Sequence, residues 1–233
     1  MSRLLPATIG VTTVLTASLA LAQSPLDRLP RGVLDVTPPS TRVSGDPGGM
    51  FFTDRSCRTF SAEGLRSRIV NTAVQEWAYF GFAVQDLTVT REDNPDYVPQ
   101  RRVRTRIDPF EAARVADSIA GYWSSTPDST WILDSQNQAW ERAGMGSRWR
   151  NPWSAAFISW VMCESGLGEP SLFQRAIAHH SYIDQAIMAR EDNESGAAFE
   201  AFDPGEAEIV PGDLLCRGWR PNYYTIAQRR EQM

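Results

Sequence analysis

The sequence predicts an α+β domain, in which a helical N-terminal half packs on a small antiparallel sheet whose later strands are short or missing. Two observations predict helices: apolar residues recur at steps of three and four in residues 61–80, and again after Asp108. A third predicts the sheet. Pro211 and Gly212 suit the centre of a type II turn, and the short apolar run of residues 214–216 follows it.

The first two helices are predicted from their apolar faces. In residues 61–80 one face collects Leu65, Ile69, Ala73, Trp77 and Phe80. A stretch with a candidate short strand, VQDLTVT, and an arginine-rich surface loop follow. At the next helix Asp108 can cap and Pro109 fits the first helical position. Its predicted buried face is Ala112, Val115, Ile119 and Trp123. The part after it, with Trp131, Trp140 and Trp149, is predicted to be irregular.

Two later helices contain the residues of chemical interest. The first begins around Asn151 and Pro152, places Ser154 in its first turn, and ends at Gly166. The second is predicted to begin near Ser171, with one face formed by Phe173, Ala176, Ile177, Ile183 and Ile187. On that helical wheel His180 lies at the centre of the face, Asp184 lies one turn later on the same side, and His179 lies toward the edge.

The N-terminus has the pattern of a secretory signal peptide. Arg3 precedes an apolar run, and Ala20-Leu21-Ala22 supplies the small residues of a cleavage site. The alternative is an uncleaved membrane anchor, but the apolar run is short and interrupted by Pro6 and Gly10. We therefore expect a signal peptide in residues 1–22, a Pro/Gly-rich linker or draped arm in 23–50, and a single domain in 51–233. The expected location is the periplasm or the extracellular medium.

Composition narrows the classes of function. All 23 basic residues are arginine, which excludes a lysine nucleophile, Schiff base or general base. The net charge of −5 gives no strong attraction to nucleic acid or to an anionic membrane. The sequence has neither a glycine loop for phosphates nor ligands at metal-site spacing, so no cofactor and no metal are expected.

The three cysteines suggest a disulfide in an exported protein. Cys57, Cys163 and Cys216 form an odd set, so at most one pair can form within the chain. The sequence does not say which two residues pair. Cys163 lies late in a helix, away from the favourable field of the helix N-terminus, and is interpreted as a core residue or half of the disulfide.

Three motifs together resemble a known bacterial family. They are PWSAAFISWVM, AHHSYI and VPGDLLCRG, and the resemblance runs from about residue 61 to about residue 220. The chain resembles the bacterial domain-of-unknown-function family 2272, which is similar in outline to NlpC-type and CHAP-type cysteine hydrolases of the cell envelope. The resemblance implies a papain-like fold, in which the helix after Trp153 corresponds to the active-site helix and PGDLL to the first strand of the sheet.

The chain departs from the cysteine hydrolases at two positions. Ser154 stands where those enzymes have their cysteine, and no histidine follows His180. In the family the strand after PGDL is expected to lead to a strand with the catalytic histidine. By this comparison the chain resembles a member that lacks its C-terminal part.

A serine nucleophile needs a neighbouring base. A helix N-terminus can lower the pKa of a thiol, but it cannot usefully ionise a serine hydroxyl. His179 and His180 are the only imidazoles in the chain. We therefore predict an acyl-transfer triad of Ser154, His180 and Asp184, with His179 close to the site. In the simpler alternative, Ser154 serves a backbone amide at the helix start, while His180 and Asp184 form a buried polar pair.

These observations support three functional interpretations. The first is an exported hydrolase that acts on peptidoglycan peptide, or on a related amide or ester, by acyl transfer. The second is a catalytically inactive module that binds the cell wall or a protein, and the third is a truncated pseudoenzyme. The expected partners are peptidoglycan or another envelope component, without nucleic acid and without a stable membrane span after signal cleavage.

Overall fold

A computed structural model describes residues 36–82, 109–144, 147–191, 196–218 and 224–233. The predicted signal peptide, the candidate strand in residues 84–90 and the arginine-rich loop that follows it lie outside the described residues. The described residues contain six α-helices and one two-stranded antiparallel sheet. The α+β class is thus confirmed.

The elements have the following bounds. The strands are β1 (Val43–Ser44) and β2 (Phe51–Phe52), preceded by a 3₁₀ helix (Pro39–Arg42). The helices are α1 (Leu65–Tyr79), α2 (Pro109–Ser124), α3 (Thr130–Ala143), α4 (Ser154–Glu164), α5 (His180–Ala189) and α6 (Ile226–Arg230). In the sheet Val43 lies opposite Phe52 and Ser44 opposite Phe51.

Helix α4 forms the centre of the core. Ala156, Trp160, Met162 and Cys163 on this helix are completely buried. Helices α1 and α2 both pack against it. The α2 residues Val115, Ile119 and Trp123 are buried, as their spacing predicts. The core therefore holds the whole length of α4 in place, and its first residue, Ser154, emerges at the surface.

The face of α1 differs from the predicted one. Ile69 is buried as expected, but Trp77 is 43% exposed, and the polar residues Thr72 and Glu76 face the core instead. The hydroxyl of Tyr122 donates a hydrogen bond of 2.5 Å to the Glu76 carboxylate. A buried carboxylate with such a partner is satisfied, so the core face of α1 includes residues that an apolar pattern does not reveal.

The segment interpreted as a linker before residue 51 packs on the domain in its described part. Val36, Val43 and Met50 are buried in the core, and the Met50 N–H and carbonyl both hydrogen-bond the side chain of Asn137 on α3. From Val36 onward, the described segment is thus a draped arm rather than a free linker. Its few apolar residues complete the core between α2 and α3.

The arm crosses α2 at a glycine. A Cβ atom on Gly121 would lie 1.9 Å from the Pro39 carbonyl oxygen. We expect Gly121→Ala to lower the free energy of unfolding by about 1–3 kcal/mol through overpacking, although alanine is intrinsically better in a helix by about 1 kcal/mol. Chemical denaturation would measure this change. Gly144→Ala is not a suitable control because Gly144 has a positive φ, so Ala113→Ser, at an exposed position of the same helix as Gly121, serves instead. A more stable Gly121→Ala variant would contradict the close approach.

A buried ion pair attaches the arm to the end of α4, and a disulfide attaches the segment that directly follows the arm. Cys57 and Cys163 are bonded to each other, 106 residues apart in sequence. Arg42 donates to the Glu164 carboxylate at 2.5 Å, and both side chains are almost completely buried. The sequence left the pairing of the cysteines open, and in the structure the residue left over is Cys216, whose thiol is free.

In the second half of the chain, the structure differs from the sequence prediction at two elements. The part after α2 is not irregular but forms α3, in which buried Gln136 interrupts the apolar face formed by Ile132, Leu133, Ala139 and Trp140. The predicted strand in residues 214–216 is not formed within the described residues. The turn before it is present: Gly212 has φ +96°, and the Asp213 N–H donates to the Val210 carbonyl at 3.1 Å. Within the described residues, the sheet is therefore formed by the arm and the two residues that follow it, Phe51 and Phe52.

Helix α5 begins at His180, nine residues later than predicted. The side chain of Ser159 on α4 hydrogen-bonds both the N–H and the carbonyl of Ala176. Gln185 similarly bonds the carbonyls of Pro170 and Ser171 and the N–H of Gln174. Because side chains satisfy these backbone groups, the segment 170–178 has no need of a helical ladder and runs irregularly across α4.

Candidate functional site

The first turn of α4 presents Ser154 at the surface. Trp153 precedes it at the helix N-cap, and its ring stacks on Phe80 with centroids 6.4 Å apart and lies 5.8 Å from Tyr122. The Phe157 N–H donates to the Trp153 carbonyl at 2.9 Å and closes the turn. These contacts fix the backbone before and after Ser154, while Ser154 itself remains exposed.

The hydroxyl of Ser154 does not cap the helix. Its N-cap residue is Trp153, and no side chain caps the first turn. Ser154 Oγ instead lies 2.8 Å from His179 Nε2. The interpretation of Ser154 as a residue that serves a backbone amide is therefore not what the structure shows, and the serine is paired with an imidazole.

The imidazole belongs to His179 and not to His180, which corrects the predicted triad. The wheel that placed His180 beside Ser154 assumed a helix from Ser171 onward, but α5 starts only at His180. His179 stands just before the helix, on the segment that Ser159 holds against α4 at Ala176. His180 is exposed in the first position of α5 and makes no hydrogen bond to Ser154.

Asp184 does not form the predicted pair with His180. Its two carboxylate oxygens accept hydrogen bonds from Arg229 on α6, at 2.7 and 2.6 Å. This bidentate ion pair attaches the C-terminal helix to α5. The carboxylate thus orients α6 and not an imidazole.

A tyrosine occupies the third position of the hydrogen-bonded chain. Tyr182 lies three residues after His179, and its hydroxyl hydrogen-bonds His179 Nδ1. The Tyr182 ring stacks on Phe173 with centroids 4.9 Å apart, and the residue is 5% exposed. Sequence reasoning did not identify Tyr182. The available signal was its spacing from His179, because residues three apart meet at the start of a helix.

The protonation states follow from this geometry. Partial burial lowers the pKa of the His179 imidazole below its ordinary value, so the neutral form is favoured. Burial, and secondarily the charge of Cys216, raise the pKa of Tyr182, so its phenol stays protonated. When Nε2 accepts from the Ser154 hydroxyl, the ring proton is on Nδ1, and this N–H then donates to the Tyr182 oxygen.

The site is exposed rather than enclosed. A cavity of about 320 Å³ lies beside the segment that leads to His179, lined by Pro127, Asp128 and residues between Pro170 and Ile177. None of Ser154, His179 and Tyr182 lines it. The serine and imidazole face solvent directly, and a substrate can approach them from outside.

Neither a candidate metal site nor a membrane-spanning helix is present among the residues that the structure describes. No three His, Cys, Asp or Glu side chains there cluster in a way that could hold a metal ion. Among the same residues, every helix is too short or too polar to cross a bilayer.

Comparison with known proteins identifies a bacterial family. Residues 112–227 match the model of a family described as uncharacterized protein conserved in bacteria, DUF2272. The match covers α2 to the start of α6, and so includes Ser154, His179 and Tyr182. No curated protein and no solved structure matches the chain.

Proposed function

The chain belongs to the bacterial family DUF2272, and from the geometry of its Ser154 site we propose that it is an exported hydrolase of the cell envelope. In this proposal Ser154 is the nucleophile of an acyl-transfer reaction on an amide or an ester, and His179 is the general base. Peptidoglycan or another envelope component is the proposed substrate.

One observation carries the proposal: Ser154 Oγ lies 2.8 Å from His179 Nε2, and Tyr182 binds the other ring nitrogen. A nucleophile, a base within hydrogen-bond reach, and a third group that fixes the ring are the three parts that serine hydrolases need. Both reacting groups are exposed, so the arrangement is accessible to a substrate.

The position of Ser154 on α4 supports the same chemistry. Amide N–H groups in the first turn of a helix have no acceptor within the helix, and the helix dipole places partial positive charge there. An acyl group attacked by Ser154 would develop its negative oxygen beside these amides. Donors directed at that oxygen are commonly the largest single source of stabilisation in acyl transfer.

The disulfide supports the proposed location. Cystines persist in oxidising spaces such as the periplasm and are rare in the cytosol. The bond between Cys57 and Cys163 therefore agrees with the signal-peptide pattern of residues 1–22. Both observations favour a protein that works outside the cytoplasm.

We expect Ser154→Ala to abolish covalent labelling by a fluorophosphonate probe, and to lower hydrolysis of p-nitrophenyl acetate by at least about 10³-fold. The free energy of unfolding should change by less than about 0.5 kcal/mol, because the serine is exposed and caps no amide. Labelling is measured by mass spectrometry and stability by denaturation.

Ser171→Ala is the matched control, because Ser171 is exposed and its side chain takes no part in the site. It should keep both labelling and hydrolysis. If the native protein is not labelled at Ser154, the proposal is wrong. If the protein is not labelled but sediments with purified peptidoglycan, it is a binding module and not a hydrolase.

A further inference from the structure

The group behind His179 is a phenol, where a serine hydrolase triad has a carboxylate. Among the residues that the structure describes, the imidazole hydrogen-bonds only Ser154 and Tyr182. The nearest acid along the chain, Asp184, is bound by both nitrogens of the Arg229 fork. Its charge is thereby compensated away from the imidazole.

The presence of a phenol instead of a carboxylate affects the step in which the serine proton moves to the imidazole. Attack by Ser154 transfers the hydroxyl proton to His179 Nε2 and creates an imidazolium. In a triad the carboxylate holds the imidazole in the correct tautomer and also stabilises that cation. The neutral Tyr182 hydroxyl can accept from Nδ1–H and orient the ring, but it supplies no negative charge. The imidazolium at this site is consequently less stable.

An unstable imidazolium affects amides more than esters. In the tetrahedral intermediate of an amide, Ser154 Oγ is the better leaving group until the imidazolium has protonated the nitrogen. An imidazolium that returns its proton to the serine early therefore sends the intermediate back to the substrate. An alcohol needs less proton transfer at the same stage, and the ester carbonyl is intrinsically more reactive. A base without a counter-charge is thus suited to esters.

We infer that the Ser154 site cleaves ester-linked acyl groups rather than peptide or other amide bonds, because Tyr182 and not a carboxylate contacts His179. The inference rests on the proposed function and specifies its substrate class.

The proposed ester cleavage uses only Ser154, His179 and a water molecule. Ser154 Oγ forms a bond to the acyl carbon, His179 Nε2 takes the serine proton, and the C–O bond to the alcohol breaks as that proton passes to the leaving oxygen. A water molecule then attacks the acyl-serine through the same base. It releases the carboxylic acid and restores the Ser154 hydroxyl.

A matched pair of substrates tests the inference on the purified protein. We expect p-nitrophenyl acetate to be hydrolysed with a burst that depends on Ser154, and p-nitroacetanilide, which has the same acyl group, to show no turnover above that of Ser154→Ala. The ratio of the two kcat/KM values should exceed the ratio for uncatalysed hydroxide hydrolysis. If the anilide is accelerated over its uncatalysed rate as much as the ester, the inference is overturned.

Tyr182→Phe tests the positioning role, because phenylalanine preserves the stacking on Phe173 and removes only the hydroxyl. We expect ester kcat/KM to fall about 10- to 100-fold, the loss typical of one hydrogen bond to a charged group. The acid limb of its pH profile should move to lower pH, since the hydroxyl stabilises the imidazolium more than the neutral ring. Tyr224→Phe, at an exposed tyrosine, should change neither quantity.

A failure of the proposed function and a failure of the ester preference give different results. Absence of fluorophosphonate labelling at Ser154 would overturn the proposed function and the inference together. Labelling at Ser154 with equal acceleration of the anilide would overturn only the ester preference. An unchanged rate and pH profile in Tyr182→Phe would remove Tyr182 from the site, and with it the basis of the inference.

Discussion

Replacing His179 with alanine is expected to lower ester hydrolysis by Ser154 by about 10²- to 10⁴-fold, the usual contribution of a general base. The physical reason is the 2.8 Å contact between Ser154 Oγ and His179 Nε2. Without a base the hydroxyl keeps its proton, and its pKa is too high for the field of the helix to ionise it. The measurement is kcat/KM for p-nitrophenyl acetate, together with the rate of fluorophosphonate labelling.

His180→Ala is a close control, since the chain offers two adjacent histidines. His180 is exposed, does not contact Ser154, and occupies the first position of α5, where alanine is well tolerated. Its replacement should leave kcat/KM within about twofold of the native value. A large loss of kcat/KM in His180→Ala, together with a native kcat/KM in His179→Ala, would support the triad predicted from sequence and contradict the geometry.

The pH profile identifies the same base in the native protein. Partial burial lowers the pKa of His179 below its ordinary value, and in the proposed mechanism the neutral imidazole is the active form. Activity should therefore be constant above the midpoint and fall as the pH drops through a value below 6.5. A carboxylate beside the ring would raise that pKa instead. An acid limb centred above 6.5 would show that a negative charge reaches His179.

The choice between two neighbouring histidines shows where sequence reasoning stopped. The sequence identifies Ser154 because Asn151 and Pro152 mark a helix start close to it, although α4 begins two residues after Pro152, with Trp153 as its N-cap. Which imidazole meets it depends on where α5 begins. The side chain of Ser159, on another element, sets that point by bonding both backbone groups of Ala176. A helical wheel contains no information about such long-range bonds.

The prediction of the fold shows the same difference between local patterns and long-range contacts. The spacing of apolar residues predicts α1, and start signals in the chain itself add to the prediction of α2 and α4. Helix α3 was missed because Gln136 is buried within its core face, and the sheet was expected in residues 214–216. The pairing of Val43 with Phe52 instead joins the Pro/Gly-rich arm to the start of the predicted domain, and the packing of the arm depends on α2 and α3. Local pattern predicted the class, whereas tertiary contacts decided where the sheet lies.

Breaking the bond between Cys57 and Cys163 is expected to lower the free energy of unfolding by about 4 kcal/mol. The bond closes a loop with a sequence separation of 106 residues, and a loop of about 100 residues corresponds to about 4.7 kcal/mol of lost denatured-state entropy. Cys57→Ser measures the loss in denaturation experiments. Native protein treated with a reductant gives an independent measurement with no change of side chain.

Cys216→Ser is the matched control, because Cys216 is the free cysteine of the chain and is exposed. It should change stability by less than about 0.5 kcal/mol. The disulfide lies at the end of α4 opposite Ser154, beside the buried Arg42–Glu164 pair. Its loss should therefore loosen the arm first and reduce activity only through the unfolded fraction. If Cys57→Ser is as stable as the native protein, the arm is held by its core residues alone, and the bond contributes little to folding.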